Sequence, residues 1–162
     1  MALLSATVGV LFCIMSLLSK RHTKGRVYIA YDFSEVDFVL DLKDKLVSQG
    51  YRCYPDVSVL VSGSKIKDLN LESQIEKADI AVILVSKESN ESSYISYVAK
   101  AFKRNGKPIQ IYAFADAESI PQYLNPYIIF PLPEDKQGAL AMIVRLVNGL
   151  FLGKHIRNTK QR

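Results

Sequence analysis

The stretch DIAVILVS, Asp79 to Ser86, constrains the fold of this chain more than any other. Six consecutive apolar residues lie between the terminal Asp79 and Ser86, and four of the six are β-branched. A strand with one wet face alternates apolar and polar residues. An unbroken run is covered on both faces, as in the middle of a parallel sheet flanked by helices. The neighbouring segments agree with this. RVYIAYD (Arg26 to Asp32) reads as a buried strand, and SEVDFVLDLKDKLVSQG as the helix that follows it. Ser34 is its expected N-cap with Asp37 completing a capping box, Val36, Val39, Leu40, Lys43, Leu46 and Val47 keep helical spacing, and Gly50 ends it. YRCYPD (Tyr51 to Asp56) is a short strand stopped at Pro55, and LNLESQIEKA (Leu69 to Ala78) a second helix. After the central strand come a third helix over Glu91 to Arg104, the strand PIQIYAF (Pro108 to Phe114), an irregular stretch, and the strand YIIFPL (Tyr127 to Leu132). A last helix over Glu134 to Leu152 sets Leu140, Ile143, Val144, Val147 and Phe151 on one face. Strands and helices alternating in this way predict an α/β fold. It is a flavodoxin-like, five-stranded parallel sheet with helices on both faces and right-handed crossovers.

Such a sheet builds its ligand site at the carboxyl ends of the strands. There the sequence puts Tyr31 and Asp32, Asp56, Ser86 and, at the start of the third helix, Tyr94. Each also has a structural reading: Tyr31 as core, Asp32 and Asp56 as turn caps, Ser86 as an N-cap. The net charge of +5 is confined to the ends. Lys20, Arg21, Lys24 and Arg26 precede the body and Lys154, Arg157, Lys160 and Arg162 follow it, which leaves 13 basic against 16 acidic residues between them, or −3. That distribution argues against nucleic acid as a partner, which needs basic residues across a folded face. His22 and His155 lie in the basic tails and no Cys/His cluster has ligand spacing, so no metal site is expected. Cys13 and Cys53 have such different surroundings that a disulfide between them is not expected.

ALLSATVGVLFCIMSLL (Ala2 to Leu18) is uncharged and is followed at once by SKRHTKGR. Seventeen residues at about 1.5 Å each approach the thickness of a bilayer core. The charge follows the apolar run, opposite to the order in a cleaved signal peptide. The expected organisation is a transmembrane helix over 1–19, a basic juxtamembrane linker over 20–26, the folded domain over 27–153 and a basic tail over 154–162. The positive-inside rule makes this a single-pass membrane protein with its domain in the cytoplasm. Ala2, Ser5, Gly9, Cys13 and Ser16 form a stripe of small residues, of the kind that lets membrane helices pair. The last helix should end at the pole where the first strand begins. Both basic clusters would then face anionic lipid headgroups, with the candidate site pointing away from them.

Four segments, in order, resemble a TIR (Toll/interleukin-1 receptor) domain: YIAYDFSEVDFVLDLKDKL, GYRCYPD, SGSKIKDLNLESQIEKADIAVILVSKES and SSYISYVAKAFKRNGKPIQIYAF. A response-regulator receiver would need an acidic cluster after the first strand and an Asp at the end of the third, and a flavodoxin a Ser/Thr/Gly phosphate loop; neither is present. The resemblance implies homotypic assembly with other TIR domains in immune-type signalling. It also implies, in some members, hydrolysis of NAD+ by a glutamate four residues after an aromatic at the start of the third helix. Registered on Tyr94, that position is Val98; registered on Tyr97, it is Ala101. Neither can offset the positive charge that develops on the ribose in the transition state. Glu88 and Glu91 are the candidates for a displaced acid, though both also suit a helix start.

The resemblance further implies that the loop VSVLVSGSKIK makes domain–domain contacts, with Val59, Leu60, Val61, Gly63, Ser64 and Ile66 as the contact residues. Three functions stay open at this point. One is an anchored assembly module that needs no cofactor. The second is an NAD+ glycohydrolase with a moved acid. The third is an effector that senses NAD+ or a related nucleotide through Tyr31, Asp32, Asp56, Ser86 and Tyr94, clusters, and perturbs the membrane. Ser5, Gly9, Cys13 and Ser16 would pack the anchors together in each.

Overall fold

In the computed structural model, which describes residues 24–55, 70–117 and 119–159, the apolar run becomes the middle strand of the sheet. The elements are β1 (Gly25–Ala30), a 3-10 turn (Phe33–Glu35), α1 (Val36–Ser48), β2 (Tyr51–Tyr54), α2 (Leu71–Lys77), β3 (Ile80–Val85), a 3-10 turn (Lys87–Glu91), α3 (Ser93–Arg104), β4 (Ile109–Ala113), a 3-10 turn (Gln122–Leu124), β5 (Ile129–Pro131) and α4 (Lys136–Thr159). The five strands are parallel in the order β2-β1-β3-β4-β5, with Val27 opposite Cys53 and Ile80, and Ile83 opposite Ile111. All six residues of β3 are buried, which matches the two-sided cover its composition demands.

The pleat divides the core in two. Val27, Ile29 and Tyr31 pack with α1 and α4 on one face; Tyr28 and Ala30 pack with α2 and α3 on the other. Gly50, at φ 92°, makes the left-handed exit from α1 that a side chain would disfavour. At the start of β1, a Cβ on Gly25 would run into the Phe151 ring, so the first strand and the end of α4 meet at one pole, as the alternation of elements requires.

Two local expectations are corrected. Ser34 does not cap α1, whose N-cap position is Glu35 and carries no side-chain cap; a 3-10 turn precedes the helix, and Asp32 caps that turn, its Oδ1 accepting from Ser34 N at 3.4 Å. The buried face of α1 is Phe38, Val39, Leu42 and Leu46, while Leu40 and Val47 are exposed. The buried stripe is helical in period but rotated from the expected one, because Phe38 docks edge-on against Phe114 at 5.0 Å and brings Leu42 inward one turn later. Among the described residues no helix is long and apolar enough to cross a membrane. The expected anchor over 1–19, with Ser5, Gly9, Cys13 and Ser16, lies outside the described residues, as do Asp56 and the loop residues Val59, Leu60, Val61, Gly63, Ser64 and Ile66.

Candidate functional site

The carboxyl edge of the sheet is built from the ends of β1, β3 and β4. Ser86, directly after β3, is fully buried and takes part in a capping box: its N–H donates to Ser89 Oγ at 2.9 Å, and the two hydroxyls lie 3.3 Å apart. Its hydroxyl is thereby spent on the turn. Tyr94 opens α3, where Ser92 Oγ accepts from Ile95 N. The Tyr94 hydroxyl sits 3.0 Å from that of Tyr28, beneath the sheet edge. Burial, then the Tyr28 ring and its hydrogen bond, push the Tyr94 hydroxyl well above its ordinary pKa. Burial likewise pushes Tyr28 up to about 12. Both phenols stay protonated at neutral pH and neither is a base.

Tyr31 is buried against the opposite core, and its hydroxyl has no hydrogen-bond partner among the described residues. Burial raises it to about 12. An unpaired buried hydroxyl is costly, and here it marks the place at this edge where an external acceptor would be most useful.

Val98 and Ala101 are buried at 0% and 4% exposure, in the core shared with Tyr28, Ala30, Phe102 and Ile111. Both registers for the missing glutamate therefore point into packed hydrocarbon, and the helix presents no acid to the edge from either position. Glu88 is exposed on the turn after β3. The side chain of Glu91 lies outside the described ones.

The sequence reading missed an acidic edge. Carboxylate oxygens of Glu35, Glu88 and Asp116 lie within 4.8 Å of one another. They come from the segments after β1, β3 and β4, so no spacing along the chain reveals them. The available signal was topological: each follows a strand end by a few residues, and parallel strands bring those ends together. Burial first, then Asp116, raises the Glu35 carboxyl above its usual range, with Glu88 and Asp32 adding to the effect. Asp116, Glu35 and Phe114 also line a small hollow of about 250 Å³ with Glu134. The described edge is thus anionic, and disfavours a bare pyrophosphate.

Cys53 is free and buried, its thiol pushed up to about 12 by burial, so it is inert rather than nucleophilic.

A five-stranded parallel sheet in the order 2-1-3-4-5, with a polar carboxyl edge, defines the flavodoxin-like class of α/β domains. Within that class the TIR domain family model matches residues 27–141, and the chain belongs to the TIR family. The fold is similar to the crystal structure of the TIR domain of the Toll-related receptor TRR-2 from Hydra magnipapillata. The TM-score is 0.52 at 16% identity, covering 83% of this chain and 97% of that one. No curated protein sequence matches the chain.

Proposed function

We propose that this protein is a signalling module that acts by assembling with other TIR domains, held at a membrane by its N-terminal apolar segment, with its domain on the cytoplasmic side. The observation that carries the reading is the complete burial of Val98. The position that resembles the family's catalytic glutamate is committed to the core, so the fold is kept while that chemistry is not available from α3. The acidic edge supports the same reading, because Glu35, Glu88 and Asp116 would repel the diphosphate of NAD+. Assembly through Val59, Leu60, Val61, Gly63, Ser64 and Ile66 follows from the resemblance, as does pairing of anchors through Ser5, Gly9, Cys13 and Ser16. Single-pass anchoring follows from the apolar run over 2–18 and the basic residues after it.

The test is self-association of the full chain in vesicles, followed by proximity crosslinking as its density is raised. A Leu60→Asp/Ile66→Asp variant should lose the crosslinks while entering the vesicles equally well. Crosslinking unchanged by both substitutions would reject the loop as the contact.

The Tyr31 hydroxyl, which has no hydrogen-bond partner among the described residues, favours a second reading, in which the edge senses a nucleotide through Tyr31, Asp32, Asp56, Ser86 and Tyr94 without cleaving it. Saturable binding of NAD+ that Tyr31→Phe weakens, with no nicotinamide released, would support it. Release that depends on Glu88 or Glu91 would instead support a displaced acid.

A further inference from the structure

All five strands begin at one pole, and the helices between them return their C-termini to it. The last turns there hold Lys45 in α1, Lys77 in α2, and Lys103 with Arg104 in α3. Asp32, Glu35, Glu88 and Asp116 lie at the opposite pole. Bases in last turns are the ordinary complement of the helix dipole, so this polarity alone assigns no partner.

One feature of the basic pole goes further. Between α1 and α4 runs an open groove of about 750 Å³, continuing past Asn148 and Leu152 into a second hollow of about 500 Å³ beside Tyr51. Among the described residues Lys24, Lys45 and Arg145 line it, and no carboxylate does. The ion pairs Arg26–Asp79 and Lys136–Asp41 involve none of these three cations, and none has a carboxylate partner among the described residues. Its polar wall is fixed: Tyr51 Oη donates to Asn148 Oδ1 at 2.6 Å, and Asn148 Nδ2 donates to Gln49 Oε1 at 2.7 Å. Leu152 stands 66% exposed beside the cations, and the Phe151 ring packs tilted against Tyr51, with centroids 5.2 Å apart. Cations, an aromatic pair and an exposed leucine in one groove form a surface suited to the headgroup region of a bilayer. Lys24 is also where the apolar N-terminal segment, over 2–18 with its basic flank, reaches the domain.

We propose that the α1/α4 groove binds the phosphate of an anionic phospholipid, which seats the basic pole on the membrane and turns the acidic edge away from it. The proposal rests on the membrane-anchored reading and adds a specific contact to it. A second copy is a poorer occupant, since a symmetric contact through this groove sets cation against cation.

The test uses the full chain in nanodiscs of phosphatidylcholine, with or without phosphatidylserine. Cys13→Ser is combined with either Leu152→Cys or Phe33→Cys, and a water-soluble maleimide reads exposure. Phe33 is the control, 65% exposed beyond the other end of β1, while Cys53 is buried. In phosphatidylserine discs, alkylation at 152 should slow about tenfold and alkylation at 33 should not change. Each cation near an anionic surface is worth about fivefold in partition, so Lys45→Glu with Arg145→Glu should remove at least about twentyfold of the preference and restore the fast rate. Equal rates in both discs would overturn the proposal, as would slowing that survives the double charge reversal. Slowing in neutral discs that grows with protein density would assign the groove to a second copy. Equal slowing by inorganic phosphate in neutral discs would assign it to free phosphate. A chain that enters neither disc loses the membrane reading, and this proposal with it, an outcome distinct from the other four.

Discussion

Placing a glutamate where the TIR resemblance expects one should damage the fold rather than create an enzyme. Val98 is fully buried among Tyr28, Ala30, Ile95 and Phe102. A carboxyl group there escapes ionisation only by staying protonated. At pH 7 that costs about 1.36 × (7 − 4.3), or about 3.7 kcal/mol, against the ordinary glutamate value. Fitting the longer side chain adds about 1–3 kcal/mol of overpacking. The sum, about 5–7 kcal/mol, is comparable to the whole stability of many small domains. The sign of the pH dependence follows from the raised folded pKa. The penalty is small below the unfolded value near about 4.3 and grows by about 1.36 kcal/mol per pH unit above it, until the folded pKa is passed. Urea unfolding of Val98→Glu and Val98→Gln at pH 5 and pH 7 separates the two terms, because only the glutamate titrates. Val98→Glu should lose about 2–3 kcal/mol more than Val98→Gln between the two pH values, and should release no nicotinamide from NAD+. A Val98→Glu protein within about 0.5 kcal/mol of the parent at pH 7, with no pH dependence relative to Val98→Gln, would refute the reasoning and put position 98 at a solvated site.

Three further outcomes follow from the described contacts. Lys107 Nζ donates to the carbonyls of Ile75, Glu76 and Ala78 at the end of α2, so Lys107→Met should cost about 2 kcal/mol in urea unfolding. The Tyr28 and Tyr94 hydroxyls should couple by about 1 kcal/mol in a double-mutant cycle of Tyr28→Phe and Tyr94→Phe. Glu35 is raised by burial and by Asp116, so its protonated form is the one the fold favours. That contribution is present below the unfolded pKa and lost as pH rises through the folded one. Glu35→Gln should therefore raise the melting temperature at pH 7 and leave it nearly unchanged below pH 4.

The parts of this molecule that could be read in sequence share one property: their meaning is local. The Ile80–Val85 run declares a strand covered on both faces, and the positions Leu140, Ile143, Val144, Val147 and Phe151 declare a helix face, because one periodicity fixes each. Ser86 in its role as a cap was legible for the same reason. The inner face of α1 was not, since Phe38 and Leu42 turn inward only once Phe114, far along the chain, is there to receive Phe38. The acidic edge was not legible either, because Glu35, Glu88 and Asp116 meet only through strand order. Asn148 looks like one more polar residue on the last helix. Only the fold brings it between Tyr51 and Gln49, at the wall of the basic groove.

The central claim is assembly without NAD+ cleavage, and the most direct measurement takes both quantities from one sample. The full chain is reconstituted into vesicles at rising surface density and supplied with NAD+, while crosslinked oligomer and released nicotinamide are followed together. Oligomer that grows with density while nicotinamide stays at the background of protein-free vesicles is the predicted result. Nicotinamide release that rises with the oligomer and disappears in Glu88→Ala or Glu91→Ala would contradict the account, and would mean that the acid lost from the third helix had been replaced on the turn before it.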